Sequence, residues 1–240
     1  MPAATPPADG QRRRGPRPRH TSQDVVRAAV AIADADGIDR VTFRAVAASL
    51  GVGVMSLYSY VPDKQALVYA MIDEVAGELQ PPQPTGDWRA DLHGIARQQQ
   101  ALLHRHPWLV TESSHLQPLS ATVLAHLEWM LEALEPAGLP VRESLEAIAM
   151  LNWFIAGIVR GELAASAAPP PGSEQAAAQA GQLTQLLATG QYPRFTSAVA
   201  EAGPPDYDVG AHFDRLLDRI LDGLIGVRPA EDAPAERPGR

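Results

Sequence analysis

The chain has 240 residues, 45% of them hydrophobic, enough for a sizeable core in one large domain or two small ones. It has no cysteine, which excludes disulfides and thiolate metal sites. Its net charge of −8 hides an asymmetry, because residues 1–64 hold nine Lys/Arg against six acids while the remainder is strongly acidic. A basic head on an acidic body is compatible with DNA binding by the head alone, and equally with a solvated basic tail.

In chain order, residues 1–19 are rich in Pro, Gly and Arg without periodicity and read, to residue 20, as a disordered arm. Thr21-Ser22 offers a cap to a first helix carrying Val25, Val26, Ala29, Ile32 and Ala33, with Gly37 as its stop. Thr42 caps a short second helix that turns Val46, Ala47 and Leu50 inward and ends at Gly51. The turn Val52-Gly53-Val54 leads into a third helix at about Val54–Tyr60, and Pro62 stops it. Asp63 caps a fourth, about 63–79. The segment Gln80–Gly86, with three prolines, is the best candidate boundary between head and body. Beyond it helices are expected near 87–105, 107–116, 119–135, 140–166, 173–189, 193–202 and 208–226, followed by a disordered tail, 227–240. The expected fold is all-α, with a helix-turn-helix head over 21–66 and a helical body over 67–226. No apolar run reaches membrane length and no signal peptide is evident, so a soluble cytoplasmic chain without a membrane partner is expected.

Two short helices joined by a tight glycine turn are the geometry that places the second helix in a major groove of double-stranded DNA. On the third helix Leu57 and Val61 face inward, leaving Val54, Met55, Ser56, Tyr58, Ser59 and Tyr60 at the outer face. Tyrosines there can reach phosphates through their hydroxyls, and Lys64 can meet another phosphate beside the free amides of a helix start. The same spacing also suits an ordinary helical hairpin with core aromatics. The arginines between Arg12 and Arg19 are either a second, minor-groove contact or a solubilising tail.

Residues Gln23–Leu79 resemble the DNA-binding domain of the TetR family of repressors. The resemblance is carried by Ala28–Ala33 with Gly37, by Val41-Thr42-Phe43-Arg44-Ala45-Val46-Ala47, by Leu50-Gly51-Val52, by Ser56-Leu57-Tyr58-Ser59-Tyr60-Val61 and by Asp63-Lys64-Gln65-Ala66-Leu67. The body, with His104–Leu109 and the stretch around Asn152-Trp153-Phe154, more loosely resembles the tetracycline-repressor-like branch. The resemblance implies that Thr42 binds phosphate, that Arg44 reaches a base edge, that Val54, Met55 and Ser56 read bases, and that Tyr58, Tyr60 and Lys64 hold the backbone. Val54 and Met55 depart from a hydrogen-bonding reader, so readout leans on Arg44, Ser56 and thymine methyls.

A palindromic operator needs two recognition helices about 34 Å apart, hence a homodimer. Phe213, Leu216, Leu217, Ile220, Leu221 and Leu224 form one apolar stripe. The resemblance implies a four-helix interface built from about 140–166 and 208–226 of each copy, so Ala149 and Ala156 join that stripe in the expected interface. On the helix 87–105, Gln99 interrupts an apolar face, as polar groups do in small-molecule pockets. With Leu103, Trp108, Trp129, Met130, Asn152 and Trp153 it makes the expected site for an apolar or amphipathic effector. Asn152 fits a core or interface amide as well. His93, Arg97, Gln100 and His104 lie opposite the apolar face and read as solvated; no metal, cofactor or catalytic grouping is expected. The expected function is a ligand-responsive repressor released from its operator by a small molecule, although sequence does not separate repression from activation.

Overall fold

The structure, a computed structural model, describes residues 20–81, 83–112, 119–202 and 209–225. Every regular element among them is helical, in agreement with the all-α expectation. The arm before His20, residues 113–118 with His115, and the tail 227–240 lie outside the described residues. The chain forms two compact units, one through Glu74 and one from Val75.

In the first unit, α1 (Ser22–Asp36) begins with a reciprocal capping box. The Thr21 hydroxyl accepts from the Asp24 amide at 3.1 Å, and the Asp24 carboxylate accepts from the Thr21 amide at 2.7 Å. Those bonds from Thr21 hold the Asp24 carboxyl below its ordinary range. Gly37, at φ 87°, takes a backbone conformation that a Cβ would strain, and ends the helix. Thr42 caps α2 (Phe43–Leu50) by accepting from the Ala45 amide, and left-handed Gly51 closes it. α3 is shorter than expected, Val54–Leu57, although the Tyr60 and Val61 amides still donate to the Leu57 carbonyl. Pro62 disfavours helical geometry at Val61 and cuts the helix off. The Asp63 carboxylate caps α4 (Lys64–Ala76) through the Ala66 amide at 2.8 Å. Val25, Ala29, Val46, Ala47, Leu57, Val61, Leu67 and Met71 are buried and hold these helices together.

In the second unit, α5 (Trp88–Arg105) and α8 (Val141–Ser166) pack on each other and on α7 (Ala121–Leu134). α11 (Val209–Ile225) lies against both α5 and α8. Short α6 (Leu109–Glu112) also rests on α8. Leu92, Ile95, Met130, Leu134, Leu151, Ile155 and Val159 fill the core together with Phe213, Leu217 and Leu221. Burying each such side chain contributes about 1.5–3 kcal/mol.

This arrangement corrects part of the expected dimer interface. Phe213 is 1% exposed in the single chain, and Leu217 and Leu221 are equally buried, so these three have no surface left to offer a second copy. An amphipathic stripe records burial, and here the chain's own α5 and α8 do the burying. Leu216, Ile220, Ala149 and Ala156 are half-buried, and the Leu224 side chain lies outside the described residues. α8 instead turns Val141, Leu145, Met150 and Trp153 to solvent. By length and composition alone this helix could cross a membrane, contrary to the sequence expectation, but Leu151, Ile155 and Val159 commit one side of it to the core.

The face of α5 expected to be solvated is a ladder of partners. Arg97 bonds Asp214 at 2.7 Å, His93 bonds Asp218 at 2.9 Å, and Arg89 reaches Asp218 and Asp222. Gln100 and His104 both donate to Glu162 of α8. By contrast α9 (Glu174–Ala188) and α10 (Pro193–Ala202) expose Leu183, Leu186, Phe195 and Val199, Tyr192 between them is exposed too, and α9 has no buried residue.

Candidate functional site

The outer face of α3 is set by what lies beneath it. Leu57 and Val61 are buried, which rolls Val54, Met55 and Ser56 outward, with Met55 80% exposed. Tyr58 follows at the helix end with half its surface exposed and its ring stacked on Phe43 of α2. Thr42 accepts a capping bond, so its hydroxyl proton is free to donate to a phosphate. Arg44 is exposed and has no ion pair among the described residues, and Lys64 is exposed at the first turn of α4. The structure therefore brings Thr42, Arg44, Val54, Met55, Ser56, Tyr58 and Lys64 to the surface of this unit.

Two residues expected at the DNA face make bonds within the chain instead. Tyr60 is half-buried and its hydroxyl donates to the His20 carbonyl at 3.1 Å. A phosphate only accepts, so a tyrosine whose single proton is already engaged makes a strut at the foot of α1. Ser59 likewise donates to the Ser56 carbonyl at 2.7 Å. Phe43, which supports Tyr58 from below, was not among the expected contact residues. Its signal was its place beside Arg44 in the quoted motif.

In the second unit, Gln99 of α5 does interrupt the apolar face as expected, and it meets two partners. Its side-chain nitrogen lies 2.6 Å from His126 Nε2 on α7 and 3.0 Å from Asn152 Oδ1 on α8. Asn152 is thus bonded to a side chain rather than to core backbone. Burial pushes the His126 imidazole below its ordinary pKa, which keeps it neutral at neutral pH. His126 and Trp129, with rings edge to face at 5.8 Å, line a narrow cleft, too tight for a water molecule, with Leu79, Gln80, Ile95 and Gln98.

The other expected ligand residues disperse. Trp108 is buried with its ring edge-on to His106, Met130 is sealed in the core, and Leu103 is half-buried against it. Trp153, expected as a pocket wall, is 74% exposed on the far side of α8 from the buried Leu151 and Ile155. A helix apolar on most of its circumference does not reveal which side is inside. His126, which meets Gln99 but was not among the expected ligand residues, carried one readable signal, a histidine at helical spacing from Trp129 and Met130. Three further histidines go to carboxylates: His93 to Asp218, His104 to Glu162 and His106 to Glu78.

Comparison with known proteins fits both halves. Residues 25–71 match the family described as bacterial regulatory proteins, tetR family, and residues 80–227 match the tetracyclin repressor-like C-terminal domain. The HTH-type transcriptional repressor DrrR1 of Streptomyces coeruleorubidus is 39% identical over 230 residues, covering 92% of this chain and 84% of that protein. The tetracycline repressor protein class A from transposon 1721 of Escherichia coli is 30% identical over 210 residues, covering 85% and 90%. Among solved structures, the TetR family protein ActR of Streptomyces coelicolor in complex with actinorhodin superposes with a TM-score of 0.72 at 25% identity, covering 87% of this chain and 98% of that one. With both domain types in order along one helical chain, this protein belongs to the TetR family of bacterial transcriptional regulators.

Proposed function

We propose that this chain is a homodimeric repressor that binds a palindromic operator and is released from it by a small molecule held in its body. The observation that carries the reading is the outer face of α3, where Val54, Met55, Ser56 and Tyr58 stand exposed on buried Leu57 and Val61. Exposed apolar groups, together with an exposed arginine that has no ion pair among the described residues, suit thymine methyls and a base edge. In this reading residues 21–66 contact DNA and 67–226 serve ligand and partner. Thr42, Tyr58 and Lys64 grip phosphates while Arg44 and Ser56 carry the hydrogen-bonded readout.

The dimer would use the exposed α8 face, Val141, Leu145, Met150 and Trp153, flanked by Ala149 and Ala156, with half-buried Leu216 and Ile220 of α11. The apolar α9–α10 pair is a further surface that a second copy would cover. α4 runs from residue 64 to residue 76, so it carries residues of both units and is the element through which a ligand would bias the head. A ligand can do so only through different affinities for the two states. The polar Gln99–His126–Asn152 cluster inside an otherwise apolar body supports a ligand site there.

The test is a footprint of the full chain on DNA flanking its own gene, followed by anisotropy titration at several salt concentrations. A protected inverted repeat is expected. Lys64→Ala should weaken binding uniformly and lower the salt slope by about 1, and Arg44→Ala should relax preference at one position by about 1–3 kcal/mol. Absence of binding to any genomic fragment would remove the reading.

A further inference from the structure

The chain has no cysteine, so the thiolate, the side chain that oxidants attack most readily, is absent from it. Methionine comes next, and burial sorts the methionines sharply. Met71 in the head and Met130 in the body are each 0% exposed, and Met150 on α8 is 44% exposed. Met55 is 80% exposed, and Met1 lies outside the described residues. Met150 also belongs to the face on which the dimer is proposed to close, which would cover it. Among the described methionines, the thioether most open to solvent is therefore the one at the second position of α3.

Leu57 and Val61 hold α3 from beneath, so the Met55 side chain carries no part of the head's core. Its sulfur can gain an oxygen without disturbing the helix. A sulfur lone pair attacks one oxygen of hydrogen peroxide, the O–O bond breaks and water leaves. The thioether is oxidised by two electrons to the sulfoxide as the peroxide is reduced. The product is polar and chiral, and its oxygen only accepts hydrogen bonds. Beside exposed Val54, that acceptor stands where the reading face otherwise offers apolar surface to a thymine methyl. Buried there it has no donor, and its partial negative charge meets a polyanion.

We propose that Met55 is an oxidation site that switches the DNA-binding face: a peroxide converts its thioether to the sulfoxide and loosens the chain from its operator, with no ligand needed in the body. This assignment rests on the reading of α3 as the recognition helix and adds a reversible chemical control to it. Reversal takes the two classes of methionine sulfoxide reductase, one for each sulfoxide epimer. Two thiols supply the electrons and become a disulfide, and the oxygen leaves as water.

The full chain is treated with dilute hydrogen peroxide, its sulfoxides are located by peptide mass spectrometry, and its affinity for the footprinted operator is titrated by anisotropy. Met55 is expected to oxidise at least about fivefold faster than Met71, Met130 or Met150, and excess operator DNA to slow Met55 alone. Its oxidation should lower operator affinity at least about tenfold, since both copies of α3 lose a contact. The melting temperature and the dimer should not change, and both reductases with dithiothreitol should restore binding. Met55→Leu, compared with itself before and after peroxide, should change by less than about twofold. Met150→Leu should stay as sensitive as the unsubstituted chain. Complete Met55 oxidation without loss of affinity, equal loss in Met55→Leu, or loss that tracks unfolding or dimer dissociation overturns the assignment. Faster oxidation of Met130 than of Met55 overturns it too. An untreated chain that binds no genomic fragment removes the DNA-binding reading and this assignment with it, whereas binding that survives complete Met55 oxidation removes this assignment alone.

Discussion

The rings of Phe43 and Tyr58 stack with centroids 4.8 Å apart and planes 13° from parallel, joining the first residue of α2 to the residue that ends α3. The stack fixes a half-exposed tyrosine on an element only four residues long, which has too few internal hydrogen bonds to orient it alone. Two substitutions separate support from contact. Phe43→Ala should lower stability by about 0.5–1.5 kcal/mol and weaken operator binding severalfold, because Tyr58 loses its platform. Tyr58→Phe keeps the stack, so its urea midpoint should not move while operator affinity falls by about 1 kcal/mol. A shifted midpoint with unchanged affinity would remove the hydroxyl from the DNA contact.

Tyr60 gives the opposite pattern. Its hydroxyl donates to the His20 carbonyl across 40 residues of sequence, from a half-buried position. Tyr60→Phe should therefore cost stability, about 1 kcal/mol in chemical denaturation, and leave the salt dependence of operator binding unchanged. A reduced salt slope at unchanged stability would return Tyr60 to the phosphate-binding set.

These two tyrosines show where the sequence was readable. Helix positions in the head were legible because the ends are local chemistry: Thr21 and Gly37 around α1, Thr42 and Gly51 around α2, Asp63 before α4. Inward residues of the head were legible from spacing, since Leu57 and Val61 leave only one face to expose. Partner choice was not legible. Tyr58 and Tyr60 look alike in the sequence, yet one stacks on Phe43 and the other bonds His20. The α11 stripe announced burial without saying by what, and α5 and α8 of the same chain proved to be the answer for Phe213, Leu217 and Leu221. Arg97 and His93 looked solvated because their carboxylates, Asp214 and Asp218, lie 117 and 125 residues further along. The interruption at Gln99 could be seen, but its His126 partner sits on another helix.

That carboxylate ladder makes stability depend on acid. Hydrogen bonding from His93, and then the charges of His93 and Arg89, hold the Asp218 carboxyl below its usual 3.8 against an opposing effect of desolvation. A carboxyl with a depressed pKa in the folded state stabilises the fold above the unfolded value, and that contribution is lost as pH falls through the folded value. Glu78 behaves alike: burial pushes it up, but bonds from Arg105 and His106 outweigh this and leave it lowered. Asp218→Asn should therefore lower the melting temperature near neutral pH, and the gap to the unsubstituted chain should close below about pH 4. A gap that stays constant down to pH 2 would show that packing, rather than the charge, is what the substitution disturbs.

Trp153 and Phe213 provide the sharpest division between association and folding. Both are large aromatics on helices expected at the dimer interface, but Trp153 is three-quarters exposed in the single chain whereas Phe213 is sealed against Phe154 with ring centroids 6.0 Å apart. An exposed tryptophan is the type of side chain that dominates association energy. Trp153→Arg should raise the dimer dissociation constant by about thirtyfold or more, a loss of about 2 kcal/mol, and leave the helical content intact. Operator affinity should fall with it, because a single recognition helix cannot span both half-sites. Phe213→Ala should instead cost about 3–5 kcal/mol of folding stability through the cavity it leaves. Sedimentation equilibrium read alongside denaturation at two protein concentrations distinguishes the two effects. Dimer loss from Phe213→Ala at unchanged stability, or an intact dimer in Trp153→Arg, would place the interface on α11 instead of the exposed face of α8.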